Sequence, residues 1–275
     1  MILGIADHPS FKKSLAEFLD FASRLKVDLV ELKMDRLELL KALSSAEKVH
    51  QVKQLLDTYD FKYSVHAPSI NVNLASLNPT IRKASEKVVT NAVRFAAEIN
   101  AEFSISHVGR LSKDYPKGFL EKALKNAVKT LKRINKTAND LGIVFTLEND
   151  HKAKDYILAG YPEQLSFLIK NVGCKLTFDV GHANTLKKPE EFIEPLKAFI
   201  ANLHLHNNNG KEDSHLSLRK GNINFQEIFE RLGDSITNTP LTVECHSFKG
   251  LEESVALLRG KAGLTFDKRS SDFFG

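Results

Sequence analysis

Six acid or imidazole residues each stand near the end of a different short apolar run: His66 in YSVHAP, His107 in SISHVG, Glu148 in FTLEND, Asp179 in LTFDVGH, His204 in NLHLHNN and Glu244 in LTVECHS. Imidazole nitrogens and carboxylate oxygens are the donors that divalent cations take. If each run is a strand of one parallel barrel, its end opens onto a mouth shared with the others. The pattern therefore predicts a metalloenzyme with its centre at the C-terminal rim of the strands.

The elements needed to position these residues are legible along the chain. Eight strand-like runs, ILGIAD, DLVELKM, FKYSVHAP, FSISHVG, VFTLEND, KLTFDVG, IANLHLH and LTVECHS, alternate with segments of helical period. Alternation of this kind predicts an α/β chain of βα units, and eight of them predict closure into a (β/α)8 TIM barrel as a single domain over residues 1–260. Leu120, Leu124, Ala127, Leu131 and Ile134 recur at three- and four-residue steps, as do Leu15, Phe18, Leu19, Ala22 and Leu25, so each of these helices has one apolar stripe for the sheet. Pro79 marks the start of the third helix, Gly142 precedes strand five and Pro189 starts the helix after strand six. Residues 261–275 read as a C-terminal tail, which Phe273 and Phe274 would pack down, offer to another copy in a homo-oligomer, or leave unstructured.

Successive strand residues face opposite sides of a sheet. Phe145, Leu147, Leu176, Phe178, Leu203, Leu205, Leu241 and Val243 share the face that must meet helices. Thr146, Glu148, Thr177, Asp179, Asn202, His204, His206, Thr242, Glu244 and His246 then point to the barrel axis. So polar an interior costs free energy unless a charged guest receives it, and a cation with bound substrate would do so.

With 275 residues, 42% of them apolar and 27% charged, the chain has the balance of an ordinary globular protein. No run is long enough to span a bilayer, and MILGIAD reads as a first strand rather than a secretory leader, which makes the cytoplasm the expected compartment. The two cysteines, Cys174 and Cys245, lack the spacing of a zinc ribbon or a disulfide framework. The formal charge of +5 comes with lysines scattered along helix surfaces such as KALKNAVKTLKRINK, so charge alone does not argue for nucleic acid.

Four segments carry a resemblance to the xylose-isomerase-like barrels, a group that includes sugar and sugar phosphate isomerases and epimerases and endonuclease IV. HAPSINVNLAS at 66–76 is similar to the family's HAP…NLAS segment, DVGHA at 179–183 to its D-x-x-H-A, HLHNNNGKEDSH at 204–215 to its H-L-x-D…D-x-H, and GNINF at 221–225 to the turn that follows. The resemblance implies a metal centre in one of two forms. The fuller form holds three zinc ions on His66, His107, Glu148, Asp179, His182, His204, Asp213, His215 and Glu244. The smaller form, that of the epimerases, holds one manganese, cobalt, magnesium or zinc ion on Glu148, Asp179, His204 and Glu244. Between His204 and His206 the alignment puts the metal on His204 and leaves His206 to bind substrate or metal.

Two chemistries follow from the resemblance. In the first, an isomerase or epimerase acts on a sugar, sugar phosphate or related polyol, with Glu148 and Glu244 removing and returning a proton and His182 holding a substrate oxygen. Arg219, in LRKGNI where relatives usually have glycine, is a candidate contact for a substrate phosphate. In the alternative, a zinc-dependent phosphodiesterase cleaves DNA at abasic sites. Against that alternative, Ser69 stands where the endonucleases carry an aromatic wedge, ENT becomes END at 148–150, HPG becomes HVG at 107–109, and the chain has no tryptophan. Glu31 and Lys33, on the inward face of strand two, are either a structural ion pair or a substrate contact. His246 reads as a residue of the mouth, and His151 as a solvent-facing loop residue.

Overall fold

All eight runs form strands of one closed parallel barrel in a computed structural model that describes residues 1–43 and 45–262. The strands are β1 (Leu3–Ala6), β2 (Leu29–Lys33), β3 (Lys62–His66), β4 (Phe103–Ser106), β5 (Arg110–Leu111), β6 (Val144–Glu148), β7 (Tyr156–Ile157), β8 (Lys175–Asp179), β9 (Ile200–Leu205) and β10 (Leu241–Val243). Around the barrel they run β1-β10-β9-β8-β6-β4-β3-β2, while β5 and β7 pair antiparallel in a ribbon of their own. The chain is thus a (β/α)8 TIM barrel of one domain. Residues 263–275, with Phe273 and Phe274, lie outside the described residues.

The helices are α1 (Leu15–Leu25), α2 (Leu37–Ala42), α3 (Ala46–Leu56), α4 (Pro79–Glu98), α5 (Leu120–Asp140), α6 (Pro162–Val172), α7 (Val180–Asn184), α8 (Ile193–Leu196), α9 (Phe225–Leu232) and α10 (Phe248–Ala262). Local chemistry sets their starts. Ser14 and Glu17 close a capping box on α1, and Asn78 caps α4 ahead of Pro79 at its first turn. The expected stripes face inward: Leu15, Phe18, Leu19 and Ala22 of α1 and Ala127, Leu131 and Ile134 of α5 are buried. They join the outward faces of the strands, among them Phe145, Leu147, Leu176, Phe178, Leu203 and Leu205, in one continuous core. Burying each such large side chain is worth about 1.5–3 kcal/mol.

One expectation is corrected. No long helix starts at Pro189 after β8; the Asp179 side chain accepts from the backbone N–H of His182, so α7 begins immediately, and Pro189–Phe192 forms a 3-10 turn before the single turn of α8. A cap in the last strand residue winds the metal-ligand candidate His182 back over the barrel mouth.

Inside the barrel, Leu29, Phe103 and Ile105 form a small separate apolar cluster. Above it the interior is polar, and its polar groups pair across strands. Thr146 and Thr177 hydroxyls lie 2.8 Å apart, Thr242 donates to Asn202 Oδ1 at 3.2 Å, and Ser64 donates to Glu31 at 3.2 Å. The inward polar face read from strand alternation is therefore real.

Candidate metal centre

The ends of β3, β4, β6, β8, β9 and β10, and the loops that follow, bring the acids and imidazoles into three adjoining groups. Glu148, Asp179, His204 and Glu244 form a buried inner group; His66 and His107 meet Glu148 on one side; and His182, His206, Asp213 and His215 lie together on another. Within each group the donor atoms all lie within 4.8 Å of one another, as one shared cation requires. Residues from position 66 to position 244 do converge at one rim, and Glu148 belongs to two groups at once.

The orientation of the imidazoles is set from behind. The Nδ1 of His66 faces the carbonyl of Ala67 at 2.8 Å, that of His182 the carbonyl of Asn149 at 2.8 Å, and that of His215 the carbonyl of Glu244 at 2.7 Å. A carbonyl only accepts, so each of these Nδ1 atoms carries a proton and each Nε2 is the nitrogen that, once deprotonated, offers a lone pair to a cation. Those Nε2 atoms face carboxylates: His66 to Glu148 at 2.8 Å, His182 and His215 to Asp213 Oδ2 at 3.2 and 3.0 Å. His204 is turned the other way. Its Nε2 is 3.0 Å from Glu31 Oε2, and its Nδ1 faces Glu148 and Glu244 at 3.0 and 3.1 Å. One nitrogen committed to an acceptor and the other aimed at carboxylates is the arrangement of metal-ligating histidine.

Buried donors without partners complete the fit. Asp179 Oδ2, Asp213 Oδ1, His107 Nδ1 and both nitrogens of His206 make no hydrogen bond. Unpartnered buried polar atoms are costly, and a divalent cation would satisfy such a set.

The electrostatics of the metal-free chain point the same way. Burial alone would raise Glu148, yet His107 and His204 hold it well below the usual carboxylate range. Burial likewise would raise Glu244, which His204 and Lys33 bring well below that range. Burial would lower His182 and His204, but Asp179 and Asp213 around the first, and Glu244, Glu31 and Glu148 around the second, hold both well above the ordinary imidazole value. His107, buried with less compensation, is pushed down to about 4.

A cleft of about 620 Å³ opens over the centre. Its wall includes His66, His107, Glu148, His182, Asp213, His215 and Glu244, but neither Asp179, His204 nor His206, which lie beneath it. His206, expected as a substrate contact, is fully buried inside the third group. Arg219 is exposed on the turn before α9 and is not part of the cleft wall. His151 is not a free loop residue: its Nε2 lies 3.0 Å from Arg110, its ring 5.1 Å from that of His182, and it lines the cleft.

Further residues line or brace the cleft. Lys33 lines it and pairs with Glu31 at 3.1 Å and, closely, with Glu244, so the Glu31–Lys33 ion pair is present at the cleft wall. Asn149 clasps β8, donating to the carbonyl of Asp179 and accepting from its N–H. Arg110 forks onto Asp150 and fixes the base of the β5–β7 ribbon, while Asp35 accepts from the N–H groups of Ser69 and Ile70 and ties the β2 and β3 loops. His8 and His246 stack at 3.8 Å at the outer edge. The only sequence signal for them was their place just beyond a strand.

Comparison with known proteins agrees with this frame. Residues 19–261 match the family described as xylose isomerase-like TIM barrel. The uncharacterized protein MJ1311 of Methanocaldococcus jannaschii is 32% identical over 221 residues, covering 78% of this chain and 75% of that protein. The crystal structure of a D-tagatose 3-epimerase-like protein superimposes with a TM-score of 0.86 at 29% identity, covering 96% of this chain and 98% of the other. Endonuclease IV from Thermus thermophilus gives a TM-score of 0.70 at 17% identity over 96% of this chain and all of the other (100%), a likeness of fold alone.

Proposed function

The chain belongs to the xylose isomerase-like TIM barrel family, and from that premise we propose that it is a divalent-metal-dependent isomerase or epimerase of a sugar, sugar phosphate or related polyol. One observation carries the reading: a cleft of about 620 Å³ has Glu148 and Glu244, both members of the inner group, together in its wall. That volume suits one small molecule rather than a duplex. The likeness to the D-tagatose 3-epimerase-like protein over nearly the whole of both chains supports it.

Glu148, Asp179, His204 and Glu244 would hold the ion, which when bound polarises a carbonyl and its neighbouring hydroxyl. Glu244, kept ionised by His204 and Lys33, would take a proton from the carbon beside the carbonyl, and Glu148, itself ionised at rest, would return one to that carbon after first taking it up from solvent; in the reverse direction the roles exchange. Lys33 sits in the cleft wall within reach of a substrate oxygen, and His182 presents a ring to the same space. The loops tied by Asp35 and Arg110 close the sides and limit access of water.

A second reading is favoured by a specific observation. All nine residues of the fuller metal set are gathered, and both oxygens of Glu148 face imidazoles, as in a multinuclear phosphodiesterase. At the rim, however, Ser69 is hydrogen-bonded to Asp35 and offers no aromatic wedge. Incubation of the metal-loaded protein with ketoses in deuterated water, beside nicking of an abasic oligonucleotide, separates the two. Deuterium entering a ketose, with no nicking, is expected; nicking without exchange would replace the sugar reading by the second. Glu148→Gln is expected to abolish whichever reaction occurs.

A further inference from the structure

His206 has no assigned work in that mechanism, yet its surroundings are specialised for it. The ring is fully buried, and neither nitrogen has a hydrogen-bond partner. Its Nε2 lies 3.1 Å from Asp179 Oδ1 and 3.4 Å from Asp213 Oδ1, and the second of these oxygens is itself unpartnered. An imidazole nitrogen and two carboxylate oxygens converge there without a well-formed hydrogen bond, a set that a cation would satisfy.

Space for the ring comes from one residue. A Cβ at Gly181 would lie 2.0 Å from His206 Cε1 and 2.3 Å from Nε2, far inside van der Waals contact. Gly181 has an ordinary negative φ, so its glycine answers to the imidazole rather than to the backbone. The ring then stacks on His215 at 3.7 Å and meets His182 edge-on at 5.7 Å, within the same group of four donors.

We propose that His206 is the fourth protein ligand of a cation held with His182, Asp213 and His215, so that this outer position is coordinatively closed. Three imidazoles and one carboxylate fill the tetrahedral set that zinc takes in structural sites, whereas a catalytic zinc keeps a position for water or substrate. The outer cation then pins α7 to the 206–216 loop and shapes the cleft wall, and the reaction belongs to the inner group. The inference rests on the metal-binding part of the proposed function and is independent of which sugar is turned over.

Chelator-treated full-length protein titrated with cobalt(II), with the visible d–d absorption and bound equivalents recorded, tests it. Wild type is expected to bind an equivalent with the intense absorption of four-coordinate cobalt, and Glu244→Gln, which damages only the inner group, is expected to keep it. His206→Asn should weaken that equivalent by about 100-fold or more and lose the intense band, since losing a ligand costs at least as much as losing a group that merely holds a ligand from behind. Gly181→Ala, which leaves every donor in place but drives the ring away, should reproduce the loss, while circular dichroism reports that each variant is folded. An unchanged band and stoichiometry in folded His206→Asn overturns the assignment and leaves the inner centre standing. Absence of any bound cobalt in wild type overturns both.

Discussion

At the mouth of the barrel, which nitrogen a histidine offers is decided by what holds its other nitrogen. Glu31 does this for His204 across 173 residues of sequence, through a fully buried 3.0 Å contact. Glu31→Gln should therefore weaken the inner cation by about 10–100-fold, read as a shifted metal titration with the nine candidate ligands intact. An affinity equal to wild type would show that Glu31 serves Lys33 alone. The candidate donors themselves were legible, because acids and imidazoles at strand ends are rare without a reason. Their pairing was not: Gly181 and His206 stand on neighbouring strand ends but 25 positions apart, and nothing local in DVGHA announces that a ring occupies the glycine's missing side chain.

Among the elements, the barrel strands were readable because each spans three to six residues of a longer alternating run, whereas β5 and β7, with two residues apiece, have no period to read. The same brevity hid the ribbon that brings Arg110 and His151 to the cleft. The alternation also foretold a polar interior, and the structure adds how it is tolerated: the polar groups bond in pairs across strands. Thr146→Val would leave the Thr177 hydroxyl without its 2.8 Å partner and should cost about 1–3 kcal/mol in urea unfolding, while the double change to valine should cost less than the two single changes summed. Additive losses would mean that the two hydroxyls act independently.

For the molecule as a whole, the balance between protons and cations at the rim sets a pH dependence. His182 and His204 are raised above 6.5 in the folded metal-free chain, so their pairs contribute stability fully present below 6.5 and lost as pH climbs through the folded values. Glu148 and Asp213 are lowered from 4.5 and 3.8, so they contribute stability above those values that is lost as pH falls through the folded ones. These four groups together contribute most to the Tm of the chelated protein between about 4.5 and 6.5 and less on the alkaline side, while His107, held down to about 4, works against stability below 6.5. Zinc must displace those protons, so the Tm increment it confers should grow over the same alkaline range; an increment that shrinks there would contradict the assigned protonation. Among the described residues no helix is long and apolar enough to cross a membrane.

Two of the inner group's four donors, His204 and Asp179, expose no surface at all, while Glu148 and Glu244 reach the cleft wall. An ion seated there would come and go on the cleft side alone. A sugar that fills the cleft should therefore slow exchange against a labelled competitor, so that occupancy by substrate also holds the ion in place.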